Sequence, residues 1–267
     1  MRLRAVILDW AGTVVDHGSR APVAALQSIF EGARVPVSVS EVRESMGLAK
    51  KAHIRSILAI PRVRDAWYEA MGAEPSGTDV EQLYAQFVPR QLECLSNYAT
   101  LIRGVSDAVS RMRARGLKIG STTGYNRPML DYLLTRAAEQ SYVPDSSICP
   151  DEAGGGRPMP WMCYLTAARL QEFPLAAFVK IGDTPSDIEE GVNAGMWTIG
   201  ITRTGNEAGL TEDEWEALSA DARQTALCVA RQRLVEAGAH FTAESVANCD
   251  ALLDEIDARL ARGETPG

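Results

Sequence analysis

Acidic and hydroxyl side chains follow three predicted strands of this chain, at the point where each strand ends. Asp9 comes directly after the apolar run AVIL, Thr123 follows a second strand, and Asp183 with Asp187 follows a later one. Ligands bind where the carboxyl ends of parallel strands meet, so we expect these side chains to lie close together at one edge of a sheet. Carboxylates in such a position could act as a nucleophile or bind a metal ion.

Each carboxylate also has a plain structural explanation. An Asp after a strand often caps the next helix or starts a turn, and the residues around Asp9 leave that alternative as open as the catalytic one. Asp183 and Asp187 stand four residues apart at a predicted helix start, where capping is equally open. Taken together, the three carboxylates favour Mg²⁺, a hard ion that prefers oxygen ligands and accepts incomplete coordination by protein.

A metal at this edge would make phosphoryl transfer possible. Mg²⁺ would neutralise a phosphoryl group and leave Asp9 able to attack phosphorus. Thr123 and Arg157 could hold the non-bridging oxygens of that group, Arg157 coming from the Gly/Pro-rich stretch 151–160.

The elements that must position these residues alternate between strand and helix from Leu101 onward. This pattern predicts an α/β fold with a doubly wound parallel sheet. Residues 21–98, before these units, carry helical periodicity and no strand pattern. Because a crossover connection needs only about a dozen residues, we interpret this stretch as an inserted all-helical cap domain. The predicted domains are an α/β core over 1–20 and 99–267 and a helical cap over 21–98.

Local signals predict several element boundaries. Ser40 is predicted to be the N-cap of a helix in the cap, and 142–149 is predicted to be a strand. The stretch 151–160 is predicted to be a loop, and His240–Thr242 a linker between two amphipathic C-terminal helices.

Composition narrows the class of protein. A net charge of −8 at pH 7 argues against nucleic acid or an anionic membrane as a partner. No apolar run approaches the roughly 20 residues that span a bilayer, and the N-terminal stretch lacks the pattern of a signal peptide. The 5 cysteines are widely spaced and form no C-x-x-C pair, which indicates reduced thiols and predicts a cytoplasmic protein without a zinc site.

The order of the motifs around a helical insertion resembles that of the haloacid dehalogenase superfamily. The motifs that carry this resemblance are Asp9-x-x-Gly12-Thr13, Thr123, Arg157 and Gly182-Asp183-x-x-x-Asp187. The resemblance implies a Rossmann-like core and a phosphotransferase. It also implies a nucleophilic Asp, a Ser/Thr, a Lys/Arg and an acidic loop for Mg²⁺ at these four places.

The chain departs from that superfamily at Ala11, where typical members carry a second Asp as acid/base for an oxygen leaving group. The Ala11 side chain cannot transfer a proton, although its carbonyl can bind a metal. Lys50 offers a replacement, because a partly desolvated lysine can form a Schiff base with a carbonyl substrate and let a carbon leave phosphorus as an enamine. Lys50 and His53 would share one helix face, and the alternative is a solvated Lys50–Lys51 pair on the cap surface.

With Met46-Gly47-Leu48 and Tyr125 included, the chain resembles the phosphonoacetaldehyde hydrolases of this superfamily nearly from end to end. This resemblance implies hydrolysis of phosphonoacetaldehyde to acetaldehyde and phosphate, through a Lys50 Schiff base and an Asp9 aspartyl phosphate, in a homodimer joined through the cap. The implied catalytic residues are Asp9, Lys50 and His53. The implied substrate-binding residues are Met46, Gly47, Thr123, Tyr125 and Arg157. The implied ligands for Mg²⁺ are Asp9, the carbonyl of Ala11, Asp183 and Asp187.

Two other functions are compatible with parts of this pattern. The chain could be a Mg²⁺-dependent phosphatase or phosphomutase of the same superfamily that acts on a small phosphate ester, which Ala11 argues against. It could also be a silent phosphate-binding protein, against which the full set of charged motif residues argues. Family members often have Cys where Ser19 stands and Thr where Asn126 stands, so these two positions affect the details of the pocket.

Overall fold

Six parallel strands form one sheet in the computed structural model, which describes residues 1–267. The strands are β1 (Ala5–Leu8), β2 (Lys118–Thr122), β3 (Ser146–Ile148), β4 (Phe178–Gly182), β5 (Trp197–Ile201) and β6 (Phe241–Ala243). Their order across the sheet is β3-β2-β1-β4-β5-β6. From β1, the strands β2 and β3 are added on one side of the sheet and β4, β5 and β6 on the other, as in other doubly wound folds. The predicted fold class is therefore confirmed.

Helices connect the strands and follow the last one. Those before β2 are α1 (Ala21–Gly32), α2 (Val39–Arg43), α3 (Lys50–Ala59), α4 (Pro61–Met71), α5 (Gly77–Leu95) and α6 (Val105–Ala114). Those after β2 are α7 (Arg127–Ala138), α8 (Pro150–Ala153), α9 (Trp161–Leu170), α10 (Pro185–Asn193), α11 (Glu212–Ala217), α12 (Ala220–Glu236) and α13 (Asp250–Ala261). None of these helices combines the length and the apolar composition that a bilayer-crossing helix requires.

The central strand β1 is buried on both faces. Ala5 and Ile7 belong to a small apolar cluster with α9 residues, whereas Val6 and Leu8 belong to the large apolar core. This alternation explains why β1 reads as a continuous apolar run, as expected for a parallel strand covered by helices on both sides. The carboxyl end of β1 therefore opens only toward the edge of the sheet where Asp9 stands.

The helices α1–α5 form a continuous segment between β1 and α6, called here the helical segment (residues 21–98). Pro22 and Pro61 stand in the first turns of α1 and α4, where a missing N–H costs nothing. Phe30, Ile54 and Phe87 are fully buried and belong to the same apolar core as the strands. The segment is thus packed onto the α/β part, and its division from that part as a separate domain stays a prediction.

The prediction of Ser40 as an N-cap is wrong, because Ser38 caps α2. Glu41 N donates to Ser38 Oγ at 3.2 Å, and Glu41 Oε2 accepts from Ser38 N at 2.8 Å. Ser38 has a glutamate three residues later, which makes the reciprocal capping box possible, whereas Ser40 is followed at that spacing by Arg43.

Three other boundaries also differ from expectation. The predicted strand 142–149 is reduced to β3, because Tyr142 leaves the strand to pack edge-on against Trp10, with ring centroids 5.5 Å apart. The predicted loop 151–160 begins inside α8. The predicted linker His240–Thr242 contributes to β6, an edge strand too short for its periodicity to be read from sequence.

Candidate active site

The turn after β1 brings Asp9 beside the acidic loop after β4. Asp9 N donates to Ile181 O at 2.9 Å, so the strand pairing continues as far as this carboxylate. Gly12 has a φ of +85°, and a Cβ at this position would overlap Asp183 Oδ2. A glycine therefore allows the turn to pass directly over Asp183.

Three buried carboxylates meet at this edge. Asp9, Asp183 and Asp187 each offer an oxygen atom within 4.8 Å of the other two. Burial, followed by repulsion from Asp187, raises the pKa of Asp9, and burial with repulsion from Asp9 holds the pKa of Asp183 well above its ordinary value. The expected convergence of these three carboxylates at one edge of the sheet is confirmed.

Asp183 has few partners to balance its charge. Asn206 N donates to Asp183 Oδ2 at 2.7 Å, and Thr13 Oγ1 lies 3.4 Å from Oδ1. No lysine, arginine or histidine forms an ion pair with it.

Asp187 is balanced by cations instead. Lys180 Nζ lies 2.7 Å and Arg157 3.0 Å from Asp187 Oδ1. Although burial acts to raise the pKa of Asp187, these two charges hold it below its ordinary value. Asp187 also completes a capping box with Thr184 at the start of α10, so it caps the helix and faces the carboxylate cluster at once.

Arg157 joins this cluster from the connection between α8 and α9. Its buried guanidinium donates to Asp9 Oδ1 at 2.6 Å, to Thr122 O at 3.0 Å and to Glu190 Oε2 at 3.0 Å. Bonds to charged acceptors in a buried site are the strong ones, so the guanidinium is fixed in orientation. It is placed to meet any anion that approaches Asp9.

The donor set fits a hard divalent cation. Asp9 and Asp183 present oxygen ligands in a buried site, where burial and a neighbouring carboxylate raise the pKa of both, and the charge of Asp183 has no ion-pair partner to balance it. A dication would remove that imbalance, and oxygen ligands of this kind suit Mg²⁺. Ala11 lines the same cavity, whereas Asp187 lies behind it with its own cations.

A small cavity covers these residues. The helical segment and the α/β part both contribute to its wall. The site residues expected from sequence that line it are Asp9, Ala11, Met46, Gly47, Lys50, Thr123, Tyr125, Arg157 and Asp183. Ser19, Pro22, Gly124 and Thr184 complete the lining, whereas His53 and Asp187 do not reach it.

Lys50 is the cation that the helical segment contributes to this cavity. Its side chain is buried at the first turn of α3, and Nζ lies 5.3 Å from the centre of the Tyr125 ring. Burial lowers the pKa of Lys50 to about 8, although Asp9 opposes the shift. A usable fraction of neutral amine is therefore present near neutral pH, and the alternative of a solvated lysine pair is wrong for this residue.

His53 shares the buried face of α3 with Lys50, as predicted from their spacing. Its Nε2 lies 2.7 Å from Val42 O, and Nδ1 has no partner. Burial, reinforced by the charge of Lys50, lowers the pKa of His53 to about 3. The imidazole is therefore neutral and lies behind Lys50, outside the cavity wall.

The residues that orient this site were not all found from sequence. Lys180 and Glu190 are fully buried and pair with each other at 3.4 Å beneath Arg157. A lysine in the middle of the buried run FVKIG could have been recognised, because a charge there must have a partner. The loop Gly205-Asn206-Glu207 had no sequence signal, and the structure places it against Asp183.

Comparisons with known proteins agree on one family. A family model described as haloacid dehalogenase-like hydrolase matches residues 3–195. The phosphonoacetaldehyde hydrolase of Syntrophobacter fumaroxidans is 46% identical to the chain, over 99% of the chain and 95% of that protein. The phosphonoacetaldehyde hydrolase of Nitratidesulfovibrio vulgaris is 44% identical, over 99% of the chain and 94% of that protein. The crystal structure of a phosphonoacetaldehyde hydrolase-like protein from Oleispira antarctica has a TM-score of 0.98 and 39% identity, covering 100% of this chain and 96% of that one.

Proposed function

This chain belongs to the haloacid dehalogenase-like hydrolases, and from that premise we propose that it hydrolyses phosphonoacetaldehyde to acetaldehyde and phosphate. One observation carries the proposal. A buried lysine with a lowered pKa and a buried carboxylate line the same small cavity, and Ala11 stands where an acid for an oxygen leaving group would be needed. Relatives with the same activity in their names support the choice of substrate.

The first step in this proposal activates the carbon atom. The neutral amine of Lys50 adds to the aldehyde to form a carbinolamine, which takes up one proton and loses water to give an iminium ion on Lys50. The iminium accepts electrons, so the bond between carbon and phosphorus can break without a protonated oxygen leaving group.

The second step transfers the phosphoryl group. Asp9 attacks phosphorus, the carbon–phosphorus bond breaks, and its electron pair moves to carbon to form an enamine on Lys50. The enamine takes a proton on carbon, and water then releases acetaldehyde and regenerates the amine. A second water hydrolyses the aspartyl phosphate on Asp9 to phosphate.

Mg²⁺ is the cofactor in this proposal. Asp9, the carbonyl of Ala11 and Asp183 would hold it, with Asp187 in support. When bound, the metal supplies positive charge that neutralises the phosphoryl oxygens. Arg157 and Thr123 would bind the remaining oxygens, since both line the cavity and Arg157 is fixed by Glu190.

The helical segment supplies most of the groups around the aldehyde end, and Tyr125 comes from the turn after β2. Met46, Gly47 and Tyr125 would shape the pocket around the carbon atoms, and His53 would take part in proton transfer around Lys50. We further propose that residues 21–98 act as a cap that excludes water from the aspartyl phosphate. Contacts between the two parts support this, because Ser186 Oγ donates to Met46 O at 2.8 Å and Arg157 to Gly47 O at 3.3 Å.

A homodimer in the cytoplasm is the remaining part of the proposal. All 5 cysteines are free thiols, which suits a reducing compartment. Two surfaces expose large apolar side chains, Tyr68 and Met71 on α4 and Trp161 and Tyr164 on α9. Light scattering on the wild type, and on variants with alanines at one pair or the other, measures the oligomer and locates its contact.

The decisive experiment measures phosphate release from phosphonoacetaldehyde with and without Mg²⁺, beside a panel of small phosphate esters. Borohydride added with the substrate should reduce the iminium and label Lys50, as mapped by peptide mass. Lys51 is the matched control, since it is exposed and paired with Glu81 at 2.6 Å, and it should stay unlabelled. Turnover of esters in preference to the phosphonate, or labelling elsewhere than Lys50, would contradict the proposal.

A further inference from the structure

Arg43, the last residue of α2, connects the helical segment to two loops of the α/β part. Its Nη1 donates to Gly18 O at 2.9 Å, Asn206 O at 3.0 Å and Asn206 Oδ1 at 2.8 Å, and its Nη2 donates to Gly209 O at 3.1 Å. All four acceptors are neutral, and no carboxylate pairs with the guanidinium. These direct contacts fix the orientation of the forked donors, while the carboxylates of Asp183 and Asp16 act on the guanidinium only through longer-range charge interactions.

The loop that Arg43 binds is also the loop that contacts Asp183. Asn206 N donates to Asp183 Oδ2 at 2.7 Å, and Asn206 Nδ2 lies 3.4 Å from Arg43 O. Gly205 packs so closely on Asp183 that a Cβ there would lie 2.5 Å from the Asp183 Cβ. One residue, Asn206, is therefore bound by the helical segment on one side and by the acidic loop on the other.

We propose that Arg43 is a positioning residue for the reaction. Through Asn206 it couples the seating of the helical segment to the placement of the Asp183 carboxylate. Met46 and Lys50 follow Arg43 closely in the same segment, so Lys50 comes over Asp9 in the same arrangement that fixes Asp183. The inference rests on the proposed function for its catalytic meaning, but not for its structural test.

A purely electrostatic role for Arg43 predicts the opposite change in the affinity for a dication. If it acted only as a positive charge near Asp183, its removal would lower repulsion and tighten the binding of a dication. If it positions Asp183 through Asn206, its removal weakens that binding, because partners that orient a metal ligand typically contribute 10–100-fold in affinity.

Calorimetric titration with Mg²⁺ alone, without substrate, separates these outcomes. We expect Arg43→Gln to weaken binding about 10-fold. Arg62→Gln is the matched control, since Arg62 lies in the same segment but pairs with Glu41 and Pro36 O inside it, and it should bind as the wild type does. Unchanged or tighter binding by Arg43→Gln would overturn the inference.

A double-mutant cycle tests whether Arg43 acts through Asn206. Asn206→Ala keeps the backbone N–H that binds Asp183 and the backbone oxygen that binds Arg43, but it removes the side-chain oxygen Oδ1 that Arg43 also binds. Combined with Arg43→Gln it should weaken binding by less than the product of the single effects. Strictly multiplicative effects would show that the two residues act independently.

Hydrogen exchange gives a readout without metal. Arg43→Gln should speed exchange in 203–210 and in 43–50, and Arg62→Gln should not. Unchanged exchange in 203–210 would overturn the inference.

If Arg43→Gln does not fold, Arg43→Lys takes its place, because it keeps the charge but not the forked donors. If the wild type binds no Mg²⁺, the proposed metal site fails, and the exchange experiment still decides the role of Arg43.

Discussion

Arg157 donates a hydrogen bond of 2.6 Å to Asp9, and both side chains are buried. The cation that we expect to bind the phosphonate therefore already contacts the carboxylate that we expect to attack it. Glu190 holds the other side of the same guanidinium at 3.0 Å, so the orientation does not depend on substrate. This preorganisation is of the kind that lowers the cost of charge rearrangement during phosphoryl transfer.

Arg157→Lys tests that geometry. A lysine keeps the charge but cannot bond to Asp9, Thr122 O and Glu190 together, so we expect kcat/KM to fall roughly 10- to 100-fold, from the 1.5–3 kcal/mol of a charged hydrogen bond. Arg169→Lys is the control, because Arg169 forms an exposed pair with Glu152, and its kcat/KM should not change. A wild-type kcat/KM for Arg157→Lys would show that only charge matters at this position.

Asp9→Asn separates imine formation from phosphoryl transfer. We expect kcat to fall by about 1000-fold or more, as is typical when a nucleophile is removed. Borohydride with the substrate should still label Lys50, because the iminium forms before Asp9 attacks. Phosphate release near the wild-type rate would exclude Asp9 as the nucleophile.

The pH dependence of the reaction should follow the amine of Lys50. Burial lowers its pKa to about 8, so the neutral, reactive fraction grows as pH rises toward that value and levels off above it. The rate of borohydride labelling at low aldehyde concentration should therefore rise about tenfold per pH unit below pH 7. A labelling rate that is flat from pH 6 to 8, or that rises only near pH 10, contradicts the lowered pKa.

Asp183→Asn should stabilise the metal-free protein while removing its response to Mg²⁺. The pKa of Asp183 is higher in the folded protein than its ordinary value of 3.8. The Asp183 carboxyl therefore favours folding at low pH, and this contribution is lost as the pH rises through the pKa that Asp183 has in the folded protein. The difference in free energy of unfolding between variant and wild type should therefore increase with pH, by about 1.4 kcal/mol per unit of pKa shift. Thermal unfolding with and without Mg²⁺ measures both effects, and a variant that Mg²⁺ still stabilises would show that Asp183 is not a ligand.

Gly47→Ala tests the contact between the helical segment and the acidic loop. Gly47 has a φ of +89°, and a Cβ there would overlap the hydroxyls of Thr184 and Ser186. Gly72 has a φ of +75° with open space around it, so Gly72→Ala reports the backbone strain alone, about 1 kcal/mol. Gly47→Ala should lose more stability than that and also raise KM. Equal losses in the two variants, with KM unchanged, would mean that the contact has no part in substrate binding.

The sequence predicted those parts of the site that depend on strand ends. Asp9 and Asp183 each follow a buried strand. Because these two strands pair in parallel, both residues must lie at the same carboxyl edge of the sheet. Lys50 was found because Ala11 lacks an acid, which is a chemical rather than a structural signal. The resemblance of the motifs supplied the roles that geometry alone would not assign.

The parts that could not be predicted depend on contacts between distant loops. Arg43 and Asn206 are 163 residues apart, and nothing in the sequence around either residue indicates that the two side chains meet. Glu190 is one of several acidic residues on α10, and only burial beside Lys180 and Arg157 distinguishes it. Short elements were missed for a related reason, because a strand of three residues such as β6 is fixed by its neighbour and not by its own sequence.

The position of β1 has a consequence for how the chain is made. It leaves the ribosome before the other five strands of the sheet, yet Ala5 pairs with Lys118 on one side and with Phe178 on the other. The helices α1–α5 contact one another and can assemble once α5 has been made, whereas β1 must wait for both neighbouring strands. The strand that carries Asp9 is thus made before its neighbours and enclosed late, and newly made chains should assemble the carboxylate cluster only after β4 has been synthesised.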